Sequence, residues 1–388
     1  MAKRVKLASI ETLIVDLPTI RPHALAMVTM SAQSIVIVRI KDSEGRSGIG
    51  EGTTIGGLSY CDESPESIKL TIDTYIEPLL ASCDLGRIGE TMAKIDKHVS
   101  GNRIAKCAVE TALLDLAGRR LDMPVSELIG GGRRRDALPV AWTLASGGTE
   151  SDIDEAEAML AQRRHKIFKL KIGKRSLDED VAHVRAIKRA LGDRGSVRVD
   201  VNQAWDEATA ERGIAALADA GCELVEQPLH RDHRHAMARL SARAAIPIMA
   251  DESLHGSAEA FGMAACGGAR AFAIKIAQSG GLYAAHDVAM LGAAAGIGLY
   301  GGTMLEAGVG TAASAHLFAT LPSLTWGTEL FGPLLLTEEL LTAPLTYCDF
   351  ELAVPDGPGL GVEIDEDKLE HFRRDRTAPK LHAIGGNT

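Results

Sequence analysis

Two hydrophobic periods alternate along most of this chain. From position 137 onward, short β-like apolar runs recur at 137–144, 168–173, 197–202, 223–228, 247–253, 272–278, 296–302 and 324–329, with starts 24 to 31 residues apart. Between several of them the period changes to that of an amphipathic helix. In 179–191, for example, Val181, Val184, Ile187 and Leu191 fall on one face. Strand alternating with helix at this spacing predicts parallel βαβ units, and eight of them predict a closed barrel rather than an open sheet.

The first part of the chain has a different pattern. Residues 7–17 and 34–40 (SIVIVRI) predict antiparallel strands joined by a polar or mobile segment around Arg21–His23. A glycine-bearing loop, TTIGGLS, follows at 53–59, then helices at 65–80 and 105–121. The run GGGRRR at 130–135 marks a boundary loop. These breaks divide the chain into an N-terminal domain (1–132), the repeating barrel (133–332) and a proline-bearing tail (333–388) expected to return to the N-terminal domain.

Composition narrows the class. The 388 residues carry 42 Lys and Arg against 52 Asp and Glu, a net charge of −10, which argues against a nucleic-acid surface or an anionic membrane as partner. Apolar residues are 46% and charged residues 24%, an ordinary globular mix, with 40 glycines and only 4% aromatics. The N-terminus has basic residues but no continuous apolar stretch, so no secretory signal is predicted. None of the six cysteines forms a CxxC pair, so reduced thiols and a cytoplasmic setting are expected. The uncharged run 288–305 is broken by five glycines and predicts a helix, a strand and a turn rather than a membrane span.

The informative residues are charges inside predicted barrel strands, which should be nearly all apolar. FKLKIG carries Lys169 and Lys171, VRVDVN carries Asp200 and Asn202, LVEQP carries Glu226, IMADES carries Asp251 and Glu252, and FAIKIAQ carries Lys275. From Lys171 through Asp200, Glu226, Asp251 and Lys275 the spacings are 29, 26, 25 and 24 residues. That is one charge per unit at similar depth. Alternation turns Phe168, Leu170 and Ile172 toward the helices, and Lys169 and Lys171 into the barrel. It likewise points Asp200 and Asn202 inward. Strands 3, 4 and 5 are neighbours, so their three carboxylates converge, between lysines from opposed strands 2 and 6. Such a set calls for a cation, and hard oxygen ligands suit Mg²⁺ or Mn²⁺. Repulsion between two lysines on one strand face would lower the pKa of one, giving a usable base near neutral pH. Structural ion pairs alone would leave buried charge without function, at a cost in stability.

At these residues the sequence resembles the enolase superfamily and its muconate-lactonizing subgroup. The KxK strand, DVNQ, VEQP, ADES and the lysine of AIKIA carry the match. DLPTIRPHALAM, EGTTIGGLSY, VAWTLASG, GIGLYGGTMLE and LTWGTELFGPLLLTEE look most like muconate or chloromuconate cycloisomerases. The resemblance implies a (β/α)7β TIM-like barrel with an α+β capping domain. It implies metal ligands Asp200, Glu226 and Asp251, backed by Asn202 and Glu252. It makes Lys171 the principal proton-transfer residue, tuned by Lys169. Lys275 has an electrostatic role and Glu329 an acid role. Ile55, with Thr54 and Tyr60 beside it, belongs to a capping loop that shapes the pocket. The implied reaction is metal-dependent closure of cis,cis-muconate, a small dicarboxylate from aromatic (catechol) catabolism, to muconolactone through an enolate protonated by Lys171. Chloromuconate turnover is the nearest alternative. A racemase or epimerase is further off, because 327–329 reads GTE where epimerases often carry Asp-x-Asp. A homo-oligomer is implied, an octamer being one size it allows.

Weaker signals have plainer readings. GIGLYG at 296–301 spells a dinucleotide fingerprint but forms a strand itself. His230, His233 and His235 have metal-like spacing but sit among charges, as in a surface loop. Arg21 and His23 could meet a substrate carboxylate or belong to an ordinary loop. Gln278 stands where relatives often have lysine.

Overall fold

The computed structural model describes residues 4–25 and 28–374. Ala26 and Met27, within the DLPTIRPHALAM segment, and the end of the 333–388 tail lie outside the described residues.

The N-terminal part builds a three-stranded antiparallel sheet from β1 (Leu7–Ala24), β2 (Thr29–Asp42) and β3 (Ser47–Thr53). The segment around Arg21–His23, expected as a connection, is the end of β1. It pairs His23 with Met30 after a register shift that follows Pro18. A ladder kept alive past a proline needs such an irregularity, because proline has no N–H to donate. Strand β3 has the sequence SGIGEGT, too glycine-rich to show a strand period. Its glycines are there for the helix behind it: a Cβ on Gly48 or Gly50 would collide with the backbone of Ala112 or Ala108. That helix, Arg103–Leu121, is buried from Ile104 to Gly118, so it shows no amphipathic stripe.

Seven parallel strands form the second sheet in the order β5 (Ala141–Leu144), β6 (Ile167–Lys171), β7 (Ser196–Asp200), β8 (Val225–Glu226), β9 (Ile248–Ala250), β10 (Ala271–Ile274) and β11 (Gly298–Gly301). The helix Leu177–Leu191 buries Val181, Val184, Ile187 and Leu191 as its pattern predicts, and Ser176 starts it with a capping box to Glu179. The expected eighth strand is reduced to a clasp. Thr328 bridges Val140 on one side and Gly301 on the other, closing the barrel. The clasp is held by Ala141 N donating to Thr328 O (2.7 Å) and Glu329 N to Gly301 O (2.8 Å).

The run 137–144 is not one strand. Its first half, β4 (Ala137–Pro139), leaves the barrel to pair antiparallel with β13 (Glu351–Ala353), itself paired with β12 (Tyr347–Cys348). The tail therefore packs against the barrel. It also reaches the N-terminal domain, through the Thr19–Leu336 and Val15–Arg373 bridges and the helix Glu366–Phe372 beside β1. Among the described residues no helix is long and apolar enough to cross a membrane. Residues 288–305 form a helix end, β11 and a turn, as read from sequence.

The two domains are joined through a carboxylate and an amide of the N-terminal domain. Glu51 on β3 accepts from Ala307 N (2.7 Å) and Gly310 N (2.8 Å) at the start of the barrel helix Gly308–Thr320. Gln33 on β2 donates to the carbonyls of Met304 and Leu305, both at 3.1 Å. Helix N-termini present free N–H groups and a partial positive charge, which suits an anionic partner.

Candidate active site

Parallel pairing fixes the depth of the charges. Lys171 is in register with Asp200, and Asp200 with Glu226. Asp251 follows β9 directly, and Lys275 follows β10 at the start of a short helix. The five charges thus arrive at the C-terminal mouth of the barrel because their strands end there.

Ligand oxygens of Asp200, Glu226 and Asp251 all lie within 4.8 Å of one another, and all three residues are buried. Glu226 Oε1 and Asp251 Oδ1 have no hydrogen-bond donor. Buried carboxylate oxygens without donors, converging from three strands, fit a divalent cation held by hard ligands. Burial, then repulsion from Asp200, pushes the Glu226 carboxyl well above the usual range. Burial would also raise Asp251, but Lys275 outweighs it and holds Asp251 low. Without a cation, a proton kept on Glu226 is how this cluster limits its charge.

Each member of the triad also faces an ammonium group. Lys171 Nζ donates to Asp200 Oδ2 (2.5 Å), Lys169 Nζ to Glu226 Oε2 (3.0 Å) and Lys275 Nζ to Asp251 Oδ2 (2.6 Å). Lys169 additionally donates to Glu329 Oε2 (2.5 Å), which is itself steadied by the Thr143 hydroxyl at 2.9 Å. Burial would lower the Lys169 pKa, but Glu226 and Glu329 reverse that and push it well up. Lys275 is raised to about 12: burial works against this, and Asp251 prevails. Mutual repulsion therefore does not set the state of Lys169; its carboxylates do. Lys171 differs from both, with a side chain 13% exposed against 2% for Lys169 and 4% for Lys275.

Further polar residues sit beside the triad. Asn202 bonds Asp200 through its backbone N–H (2.8 Å) and side chain (3.1 Å), and reaches Glu252 at 3.1 Å. Glu252 is raised to about 8 by burial and then by Asp251. Gln278 donates to the carbonyls of Asp251 (2.7 Å) and Leu254 (2.8 Å), tying down the turn after β9.

A cavity of about 300 Å³ opens over this array, lined by Ile55, Tyr60, Lys169, Lys171, Asp200, Asn202, Asp251, Lys275 and Glu329, with His23, Leu25, Thr303 and Leu305 completing the wall. Tyr60 accepts from Lys275 (2.8 Å) and donates to Asp251 (3.0 Å). Thr54 is buried but does not line the cavity. Arg21 is drawn away from it: its guanidinium holds Glu155 at 2.8 Å and the Thr143 carbonyl at 3.2 Å. His23 has the opposite fate and is 1% exposed in the cavity wall. Leu25, Thr303 and Leu305 carried no signal in the sequence, being ordinary residues whose role comes from folding beside charged ones. The histidines at 230 and 233 lie with tilted rings 5.7 Å apart in a solvated loop, with His230 against Asp232 at 3.4 Å.

A second cavity of about 440 Å³ lies between the ends of β5 and β6, and Leu25 and Lys171 line both. Lys171 thus stands between the two cavities.

Comparison with known proteins agrees with this geometry. Residues 9–130 match the mandelate racemase / muconate lactonizing enzyme N-terminal domain, and residues 152–368 the enolase C-terminal domain-like family. The chain is 57% identical over 375 residues to muconate cycloisomerase 1-2 of Acinetobacter lwoffii, covering 97% of each chain. It is 47% identical to a chloromuconate cycloisomerase of Cupriavidus necator, covering 95% of this chain and 99% of that one. Among solved structures it is similar to the muconate lactonizing enzyme of Pseudomonas fluorescens complexed with muconolactone, with TM-score 0.94 and 56% identity over 96% of this chain and 100% of the other. Its barrel, cap and converging charges, with these matches across both domains, place the chain in the mandelate racemase / muconate lactonizing enzyme family of the enolase superfamily.

Proposed function

We propose that the chain catalyses the cycloisomerisation of cis,cis-muconate to muconolactone in the breakdown of aromatic compounds. The observation that carries this reading is the placement of Lys171: an ammonium beside the acidic triad, on the wall of the cavity over the triad and of the neighbouring one. In the reaction one carboxylate oxygen adds to the double-bond carbon β to the other carboxylate, forming the C–O bond of the five-membered lactone. The electron pair moves to the carbon next to the other carboxylate, leaving an enolate-like dianion. Lys171 Nζ gives that carbon a proton and recovers one from solvent, to which its side chain is partly exposed. An Mg²⁺ or Mn²⁺ ion on Asp200, Glu226 and Asp251 would supply positive charge to the carboxylate that gains electron density.

Lys169 is unsuited to the proton transfer, being fully enclosed and held as an ammonium by two carboxylates. Its role is to fix Glu329 and add positive potential. Lys275 adds a second cationic wall, and Ile55 and Tyr60 close the cavity from the cap. These local charges let a chain of net −10 bind a dianion.

Loss of the diene ultraviolet absorbance should require the divalent ion and disappear in Lys171→Ala. A Lys171→Ala protein that keeps most of its activity would remove the assignment. Turnover of 2- and 3-chloromuconate beside muconate separates this reading from the chloromuconate one, which the 47% relative keeps in view. A cytoplasmic homo-oligomer, such as an octamer, is part of the proposal. Phe261 (65% exposed) and Tyr283 (39%) lie on contacting barrel helices and form an apolar surface for a second copy to cover. Analytical ultracentrifugation showing only monomer would remove that part.

A further inference from the structure

We propose that His23 is a substrate-binding residue, its imidazole Nδ1–H donating a hydrogen bond to the carboxylate of the dicarboxylate substrate that the acidic triad does not serve. This rests on the function proposed above. His23 ends β1, so it belongs to the cap, whereas the triad belongs to the barrel. The side chain is 1% exposed and lines the same cavity as Lys169, Lys171 and Glu329. Its Nδ1 is buried and has no hydrogen-bond partner in the protein. The nearest ring, Phe331, lies at 6.4 Å between centroids and offers only an apolar face. A buried polar atom without a partner is rare in a native protein. His23 lines a cavity beside ammonium groups, so its unmet donor is explained by a partner that arrives with the ligand.

The chemistry of that partner follows from its surroundings. Burial, then the charges of Lys171, Arg21 and Lys169, lowers the His23 pKa to about 3. The ring is therefore neutral in the working range and carries one N–H. A carboxylate only accepts, so it selects the tautomer with the proton on Nδ1. The same lysines that keep His23 neutral attract the anion to it. Cap and barrel would then each hold one end of a dicarboxylate, and a monocarboxylate would use only the barrel end.

Replacing His23 with Leu, Asn or Gln tests this in the whole enzyme. His23→Leu should raise KM for cis,cis-muconate about tenfold or more, the usual scale for a hydrogen bond to a charged group. His23→Asn, whose amide N–H reaches the place of Nδ1, should recover most of that loss. His23→Gln, whose amide reaches the place of Nε2, should not. Muconate monomethyl ester, whose ester end cannot close the lactone, serves as an inhibitor, and its Ki should be the same for wild type and His23→Leu within about twofold. Thermal melting of each variant reports folding, and if the leucine protein does not fold, the asparagine–glutamine contrast decides alone. An unchanged KM in His23→Leu, no difference between Asn and Gln, or an equal loss on diacid and monoester would overturn the inference. Wild-type protein that does not consume muconate at all would overturn the proposed function instead.

Discussion

The acidic triad makes a prediction whose sign is unusual for a buried charged residue. Glu226 pairs with Lys169 at 3.0 Å and lies within 4.8 Å of ligand oxygens on both Asp200 and Asp251. At an effective dielectric of about 20, each of the two carboxylate repulsions is worth at least about 3.5 kcal/mol, and the Lys169 attraction about 5.5 kcal/mol. The two repulsions, about 7 kcal/mol together, exceed the attraction of about 5.5, so metal-free Glu226 keeps its proton and glutamine copies that neutral state, while Lys169 keeps its bond to Glu329. Metal-free Glu226→Gln should melt at or slightly above the temperature of metal-free wild type. Metal should separate them. Saturation at about 100 times Kd stabilises the folded state by about 2.7 kcal/mol. With an unfolding entropy of about 2.1 cal/mol/K per residue, 388 residues give about 0.8 kcal/mol/K, so wild type should gain about 3 °C. The glutamine variant should gain much less. The assay is a thermal shift titration with MgCl2 or MnCl2 after chelation. An equal metal shift in both proteins, or a metal-free variant melting several degrees below wild type, would refute the electrostatic account.

Because burial and Asp200 hold the Glu226 carboxyl high, the metal-free cluster carries a proton that metal must displace. Calorimetric titrations in two buffers of different ionisation enthalpy should show proton release, and affinity should weaken as pH falls. His316 is buried, accepts the Ser126 N–H and bonds the Leu360 carbonyl (3.1 Å), with burial lowering its pKa to about 4. The unfolded chain takes up that proton below about pH 6.5, so stability falls as pH drops from there toward 4, by about 2 kcal/mol at pH 5. His316→Asn should lose about that much less than wild type between pH 7 and 5 in urea unfolding. Glu51→Leu strips the acceptor from two buried backbone N–H groups and the Thr53 hydroxyl (2.6 Å), and should cost about 3 kcal/mol by the same method.

Much of the site was legible because its residues break a strong local rule. A charge in a strand buried on both faces is conspicuous, and five strands repeating the violation at one depth fixed Lys169, Lys171, Asp200, Glu226, Asp251 and Lys275. Where no rule was broken, the reading was coarser. Strand β3 hides because glycines chosen for contact with a helix erase its alternation. The helix Ile88–His98 went unread beside its more apolar neighbours. The eighth strand contracted to Thr328 because one residue bridging both neighbours suffices for closure. Arg21 and His23 look alike in sequence as polar residues two apart. Only the fold shows that Glu155 takes one and the cavity the other.

The same contrast explains how the halves cooperate. The barrel provides charge, but its triad alone would face open solvent, where each interaction is weak. The cap supplies the wall that removes water: Ile55 and Tyr60 from one loop, His23 and Leu25 from the end of the first hairpin. A wall made of loops is useful only if its position is fixed relative to the charges below. Glu51 fixes it by binding the start of a barrel helix, and Gln33 by holding the carbonyls of Met304 and Leu305, the turn that also contributes Leu305 to the cavity. Burial pushes the Glu51 carboxyl up to about 7, so the joint itself is costly to keep ionised. Paying that cost at a helix N-terminus, rather than using an apolar contact, gives a joint with direction as well as adhesion. A hydrophobic seam can slide by an ångström; a carboxylate gripping two N–H groups cannot do so without losing one of them.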